Sequence, residues 1–393
     1  MTADAHPDRV RIGLVSDTYL PQVNGVTTVV RRIVALLRAQ GHEAAVVAPR
    51  YPGFAAPAGE RELRIPSIAF PPYPDIRLSV PHFRRVARFF DEFEPDVIHV
   101  HTEGALGLVG RRYARTRRLP LVTSFHTNFP QYSQHYGVGF LAPAVWRWLM
   151  RFHRPAALTL TPGEAVRSDL VRRGLPQAVV WGRGVDTQLF HPGQRDPSWR
   201  RWLAGDETTP IVLHVGRLAP EKNLGVLIAA WRQARDLVDG RAAFTAAGEG
   251  PEARSIAAAL PFVRLLGFLP RPHLAKLYAS ADVCVFPSHT ETCGLVALEA
   301  MSSGVAVVAA DAGGLRESVR QGVTGVLVPP HDPRGYADAI ADLVRDPARR
   351  CALGAAARER ALERAVGPEN EHLLGRYAAL AGVPRRSSAP CAA

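Results

Sequence analysis

The sequence predicts an α/β protein of two Rossmann-like, doubly wound domains, and three observations carry that expectation. Short apolar runs alternate with segments of helical length, the pattern of parallel strands joined by crossover helices. The series occurs twice along the chain. Between the two lies "GRGVDTQLFHPGQRDP" (182–197), where glycine, proline and charge cluster as they do at a joint between domains.

In the first series, "VRIGLVS" (10–16) reads as a buried strand, followed by the loop "DTYLPQVNG". "VTTVVRRIVALLRAQG" then has helical spacing and a helix-ending glycine at Gly41. "EAAVVAP", "PDVIHVHT" and "PLVTSFHT" are the next strand runs. The second series opens at "PIVLHVGRL" (210–218) and continues through "AAFTAAGEG", "FVRLLGFL", "DVCVFPS" and "VAVVAA". The division expected is 1–190, 191–382 and a disordered tail, 383–393, ending "VPRRSSAPCAA".

The 393 residues, 47% of them apolar, suffice for two cores. No apolar run reaches the roughly 18 residues of a spanning helix, and the first twenty residues lack a secretory pattern, so a cytoplasmic protein is expected. Cys284, Cys293, Cys351 and Cys391 lie far apart with no C-x-x-C pair, which favours neither a disulfide framework nor a zinc site. The net charge of +12 is uneven: residues 1–190 carry a surplus of nine positive charges and the rest a surplus of three. A bias toward arginine in the genome explains the choice of arginine over lysine. The asymmetry instead points to an anionic partner for the first half: phosphates, acidic lipid or nucleic acid.

The chemistry concentrates in "HTETCGLVALEAMSSG" (289–304), a loop after the strand "DVCVFPS" that runs into a helix starting near Gly294. Ligands of open α/β sheets bind beyond the carboxyl ends of strands, where a helix start offers free N–H groups to an anion. Glu291 on the loop and Glu299 in the helix then accept hydrogen bonds from hydroxyls, while the N–H groups of Gly294 and Leu295 take a phosphate. On an uninterrupted helix the two carboxylates would lie roughly 80° apart. A hydroxylated diphosphate, a sugar nucleotide, fits this set; capping and surface glutamates are the plainer alternative.

"ETCGLVALEAMSSGVAVVA" resembles the paired-glutamate motif of family 4 of the retaining, nucleotide-sugar-dependent glycosyltransferases of the GT-B fold. Four more stretches are similar in the same order: "SDTYLPQVNGVTTVVRRI", "VGRLAPEKN", "AGEGPE" with "LLGFLP", and "LYASADVCVFPSHTETCG". The resemblance implies two Rossmann-like domains facing a central cleft, acceptor bound by the first and donor by the second, with the last helix packing back on the first domain. It implies transfer of a hexose, with retained configuration, from a nucleoside-diphosphate sugar to a hydroxyl. The bacterial mannosyl- and glucosyltransferases of membrane lipids look most similar, so GDP-mannose is the first donor expected and UDP-glucose the second, with a lipid or glycolipid acceptor.

Residue by residue, the resemblance implies that Arg217 and Lys222 clamp the diphosphate and offset its charge as it leaves. Glu299 binds the ribose, and Glu291 faces the donor sugar. Gly248, Glu249 and Leu266 edge the nucleotide. Gly25 admits the phosphates to the backbone, with Asn24 where the family often has a second glycine. His126, in "SFHTNF", contacts the donor sugar from the opposite domain, Asp17 meets the acceptor hydroxyl, and Glu103 is a second acceptor-side candidate. Cys293 stands where an aromatic is usual. No cofactor and no metal are expected, the nucleotide sugar being a co-substrate; "HVH" (99–101) offers two histidines but no carboxylate at metal spacing.

The rival enzyme class is an NAD-dependent oxidoreductase, because "GEGPEA" (248–253) matches a dinucleotide fingerprint. Pro251 stands where the helix should begin, and no acid follows about 20 residues on. No Gly-Lys pair supports a P-loop, and no recognition module supports a nucleic-acid partner. A further expectation is peripheral docking on the anionic inner face of the cytoplasmic membrane. It rests on "HFRRVARFFDEF" (82–93), where Phe83, Val86, Phe90 and Phe93 recur at helical spacing beside Arg84, Arg85 and Arg88. "RRYARTRR" (111–118) and "FLAPAVWRWLMRFHR" (140–154), with Trp146, Trp148 and Phe152 among arginines, support it. A stripe of that spacing equally suits a core-facing helix.

Overall fold

The structure is a computed structural model and describes residues 9–22, 24–57, 59–70, 73–126, 142–182 and 184–382. The expected tail, 383–393, most of "SFHTNFPQYSQHYG", and the first two residues of "FLAPAVWRWLMRFHR" lie outside them.

The first domain contains β1 (Arg11–Val15), α1 (Gly25–Ala39), β2 (Glu43–Pro49), β3 (Arg61–Ile65), a hairpin of β4 (Ser67–Phe70) and β5 (Tyr73–Ser79), α2 (Phe83–Phe93), β6 (Val97–Val100) and α3 (Ala105–Arg117). It continues with β7 (Leu121–Ser124), α4 (Ala142–His153), β8 (Leu158–Thr161), α5 (Glu164–Arg172) and β9 (Ala178–Val180). Seven strands form one parallel sheet in the order β3-β2-β1-β6-β7-β8-β9. The reversal of strand order at β1 and β6 is the topological switch point, so ligand space opens beyond the carboxyl ends of those strands.

The second domain contains α6 (Pro197–Ala204), β10 (Ile211–Val215), α7 (Leu224–Leu237), β11 (Ala243–Ala247), α8 (Ala253–Ala259), β12 (Val263–Leu265), α9 (Arg271–Ser280), β13 (Val283–Phe286) and α10 (Leu295–Ser302). β14 (Ala306–Ala310), α11 (Gly313–Ser318), β15 (Val326–Val328), α12 (Pro333–Arg345) and α13 (Pro347–Leu362) follow. Its six strands are also parallel, in the order β12-β11-β10-β13-β14-β15. β10, β13 and β14 are buried along their whole length, as strands covered by helices on both faces must be.

The last helix, α14 (Val366–Ala381), belongs by sequence to the second half but packs in the first. Leu373 and Tyr377 sit in the core with Val30, Ile33 and Val97. Trp181 Nε1 donates to Glu369 O at 3.1 Å, and Arg32 donates to Asn370 Oδ1 at 2.9 Å.

One expectation needs correction here. The apolar stripe of α2 does not face a membrane: Val86, Phe90 and Phe93 are fully buried, with the Phe90 ring 5.2 Å from Tyr113. Phe152, from the third basic segment, is buried in the same core. The stripe seals one face of the sheet, which removes its apolar area from water. Arg84, Arg85 and Arg88 remain on the exposed side of the helix.

Candidate active site

β10 and β11 end side by side, and the loops beyond them touch backbone to backbone. A Cβ on Gly248 would lie 1.9 Å from Gly216 O, and one on Gly250 2.2 Å from Leu218 O. Only glycine permits that approach, and Leu218 N donates to Glu249 O at 2.8 Å across it. The glycines of "GEG" are thus required by loop packing, which removes the reason for reading them as a dinucleotide fingerprint. Glu249, exposed, accepts from Phe268 N at 3.4 Å, and Leu266 N donates to Ala246 O at 2.9 Å, so both edge the same rim.

The β10 loop turns through a short 3-10 segment, Pro220–Lys222. Glu221 is fully buried and pairs with Arg217, whose side chain is 58% exposed. A buried carboxylate thus holds one end of a cation that otherwise faces the open space. Lys222 pairs with Glu291 of the loop after β13. Thr290 Oγ1 and Ser288 Oγ donate to Glu221 O at 2.9 and 3.2 Å, tying the two loops together. Arg217, Lys222 and Glu291 therefore share one corner. Glu221, which sequence reasoning missed, anchors it; its signal was an acid four residues beyond Arg217.

The helix α10 begins only at Leu295, with Gly294 as its cap in the left-handed region at φ 67°. Glu291 accordingly stands on the loop, and the angular separation expected of an uninterrupted helix does not apply. Glu299, 13% exposed, meets Arg271 Nη1 at 3.2 Å. Burial pushes its carboxyl up to about 7, with the Arg271 guanidinium opposing the rise.

On the facing domain, His126 follows β7, and its Nε2 lies 3.1 Å from His101 Nδ1 with the rings stacked 5.4 Å apart. The His101 ring lies 3.9 Å from that of His99, whose Nδ1 is 2.6 Å from the Tyr377 hydroxyl and whose Nε2 is 2.7 Å from Ser124 Oγ. The two histidines of "HVH" are thus side-chain contacts between α14 and His126. Among the described residues no group of three or more His, Cys, Asp or Glu is placed to hold a metal ion.

Asp17 and Glu103 are already engaged. Asp17 accepts from Thr102 Oγ1 at 2.7 Å, Leu106 N at 2.9 Å and Gly107 N at 3.3 Å, capping α3. Burial still raises its pKa above the usual carboxylate value. Glu103 lies 3.2 Å from His153 Nε2. Asn24 caps α1 by accepting from Thr27 N at 2.9 Å, and a Cβ on Gly25 would meet no atom within 4 Å.

The domains enclose a cleft of about 650 Å³. Phe125, Trp146 and Asp169 line it from one side, Glu291, His289 and His331 from the other. Beside it the Glu317 carboxylate accepts from Glu164 N at 2.8 Å and Ala165 N at 2.6 Å, clasping the start of α5 from the opposite domain. His289, His331 and Glu317 carried no sequence signal, because their place in the cleft depends on how the domains meet.

Two Rossmann-like parallel-sheet domains facing a cleft, with ligand space at the carboxyl ends of their strands, have the GT-B architecture. Residues 23–189 match Glycosyltransferase Family 4, and residues 209–346 match Glycosyl transferases group 1. The chain is 37% identical over 379 residues to a GDP-mannose-dependent alpha-mannosyltransferase of Mycobacterium tuberculosis, covering 95% of this chain and 97% of that one. It is 26% identical over 315 residues to the alpha-monoglucosyldiacylglycerol synthase of Streptococcus pneumoniae, covering 76% and 71%. A sucrose-phosphate synthase from Thermosynechococcus elongatus has the same fold, with a TM-score of 0.79 at 22% identity over 96% of this chain and 100% of that one. The chain belongs to glycosyltransferase family 4 and is an enzyme; the oxidoreductase alternative is set aside.

Proposed function

We propose that this enzyme transfers a mannosyl unit, with retained anomeric configuration, from GDP-mannose to a hydroxyl of a lipid or glycolipid acceptor. The observation that carries the proposal is the corner where Arg217–Glu221 and Lys222–Glu291 meet, beneath a family likeness that extends over almost the whole chain. Each of the two cations is paired with a carboxylate. An arriving diphosphate takes over as counterion to Arg217 and Lys222, frees Glu291 to orient sugar hydroxyls, and leaves Glu221 to hold Arg217 in place. Charge developing on the leaving diphosphate is met by fixed cations in a partly dry site. Acceptor attack on the same face lets a leaving phosphate oxygen take the acceptor proton, so the reaction needs no protein base, consistent with the engagement of Asp17 in capping. No metal is required in this scheme. His126 faces the donor sugar, and Glu299 binds the ribose.

The diacylglycerol named for the streptococcal relative supports a lipid acceptor. No helix among the described residues is long and apolar enough to cross a membrane. We place the enzyme in the cytoplasm, at the inner membrane face, held by charge alone through Arg84, Arg85 and Arg88. The test is a panel of nucleotide sugars offered with extracted lipids, with the product anomer read by NMR. An α-mannolipid from GDP-mannose is expected. Transfer only from UDP-glucose replaces the donor, and an inverted anomer rules out the scheme.

A further inference from the structure

Two rungs of polar side chains join β6 to β7 in the first domain. In the first, His99 Nε2 lies 2.7 Å from Ser124 Oγ; in the second, nearer the carboxyl ends of the strands, His101 Nδ1 lies 3.1 Å from His126 Nε2. The two-residue spacing along each strand keeps both rungs on one side of the sheet, and the His99 and His101 ring centres are only 3.9 Å apart. On its other edge His99 meets α14: the Tyr377 hydroxyl stands 2.6 Å from His99 Nδ1. His99, His101, Ser124 and Tyr377 are all buried.

Anchoring α14 does not require these groups. Leu373 already packs the helix into the core, and apolar side chains at 99 and 377 would serve there without burying polar atoms. Burial pushes His99 well below its ordinary pKa, and His101 adds to the shift, so the ring is neutral and offers one donor and one acceptor. Burial likewise pushes the Tyr377 hydroxyl up, so it keeps its proton. Whichever tautomer His99 holds, its two nitrogens face two hydroxyls, and turning the ring breaks both contacts. A ring fixed in this way gives His101 a fixed surface to lie on, and His101 in turn holds the edge of His126. We infer that Tyr377, on the helix that returns from the second half of the chain, is a positioning residue that sets the His126 ring through His99 and His101. The inference rests on the reading above that His126 faces the donor sugar.

The test joins ring spectroscopy to a double-mutant cycle in the full-length protein. NMR of isotope-labelled histidines reads each ring, with His126 assigned by its loss in H126A and the exposed His273 as control. Y377F should shift the His126 ring signals and leave those of His273 in place. With GDP-mannose and extracted lipids, kcat should fall about tenfold in Y377F while KM for the donor stays within about twofold, and the same change should cost under about twofold in an H126A background. Unmoved His126 signals in Y377F overturn the inference. So does an equal loss of kcat in both backgrounds, which makes Tyr377 a packing residue. If Y377F does not fold, difluorotyrosine at 377, close to tyrosine in shape but with a more acidic hydroxyl, is judged by the same ring signals. Failure of GDP-mannose as a donor, or wild-type turnover in H126A, defeats the donor or the donor-sugar reading instead, and the ring signals then decide alone what Tyr377 does.

Discussion

Glu299 couples stability to pH. Its carboxyl, raised from 4.5 to about 7, is protonated in the folded protein at pH values where the unfolded chain has already lost the proton. The stability this contributes is full below about 4.5 and is lost as pH rises through about 7, a difference on the order of 3 kcal/mol. Glu299→Gln carries no such penalty, so its unfolding midpoint relative to wild type should rise between pH 5 and 8. The idea fails if the two proteins show parallel pH profiles. If Arg217 and Lys222 form the proposed diphosphate clamp, Arg217→Ala or Lys222→Ala should lower kcat/KM by about 2 to 4 kcal/mol, roughly 30- to 1000-fold, because each would remove charge opposite the leaving diphosphate. Glu299→Ala should mainly weaken donor binding, by about 1.5 to 3 kcal/mol. Steady-state kinetics across a donor series decides, and three variants with wild-type turnover would remove these residues from the site.

α2 separates two roles that its sequence mixes. Phe90 is fully buried against Tyr113, so Phe90→Ala should cost about 3 to 5 kcal/mol of stability, read as a lower denaturant midpoint. In the proposed membrane docking, each of Arg84, Arg85 and Arg88 on the outer face would add about 1 kcal/mol of attraction to an acidic leaflet. Their joint change to Ser should abolish cosedimentation with acidic vesicles at low salt while leaving the midpoint within about 0.5 kcal/mol of wild type. Equal sedimentation of both proteins with acidic and neutral vesicles would end the membrane reading. Periodicity revealed the two faces of α2 but not what each would meet.

The molecule has a cleft between its two sheets, one helix returning across the joint, and polar clasps such as Glu317 on the start of α5. Saturating donor should draw the domains together, because in the proposed mode of binding the diphosphate and sugar would contact both sides of the cleft. Small-angle scattering should then show a smaller radius of gyration with donor than without. Superimposable curves would mean a cleft already closed.

What the sequence determined by itself follows from local physics. Runs such as "IVLHV" and "AVVAA" are apolar enough to be buried on both faces and became central parallel strands, and the loop-then-helix placement of Glu291 and Glu299 came from a strand end, a glycine and a helical repeat. Less distinct elements escaped: β3, reading "RELRI", is a charged edge strand, and β15 is only three residues long. Tertiary structure alone decided the rest. Whether the phenylalanines of α2 met a core or a lipid, and whether Asp17 was free or engaged in capping α3, depend on contacts between residues distant in the chain. Periodicity and motif spacing record one segment's preferences, and such contacts exist only once both domains have formed and met.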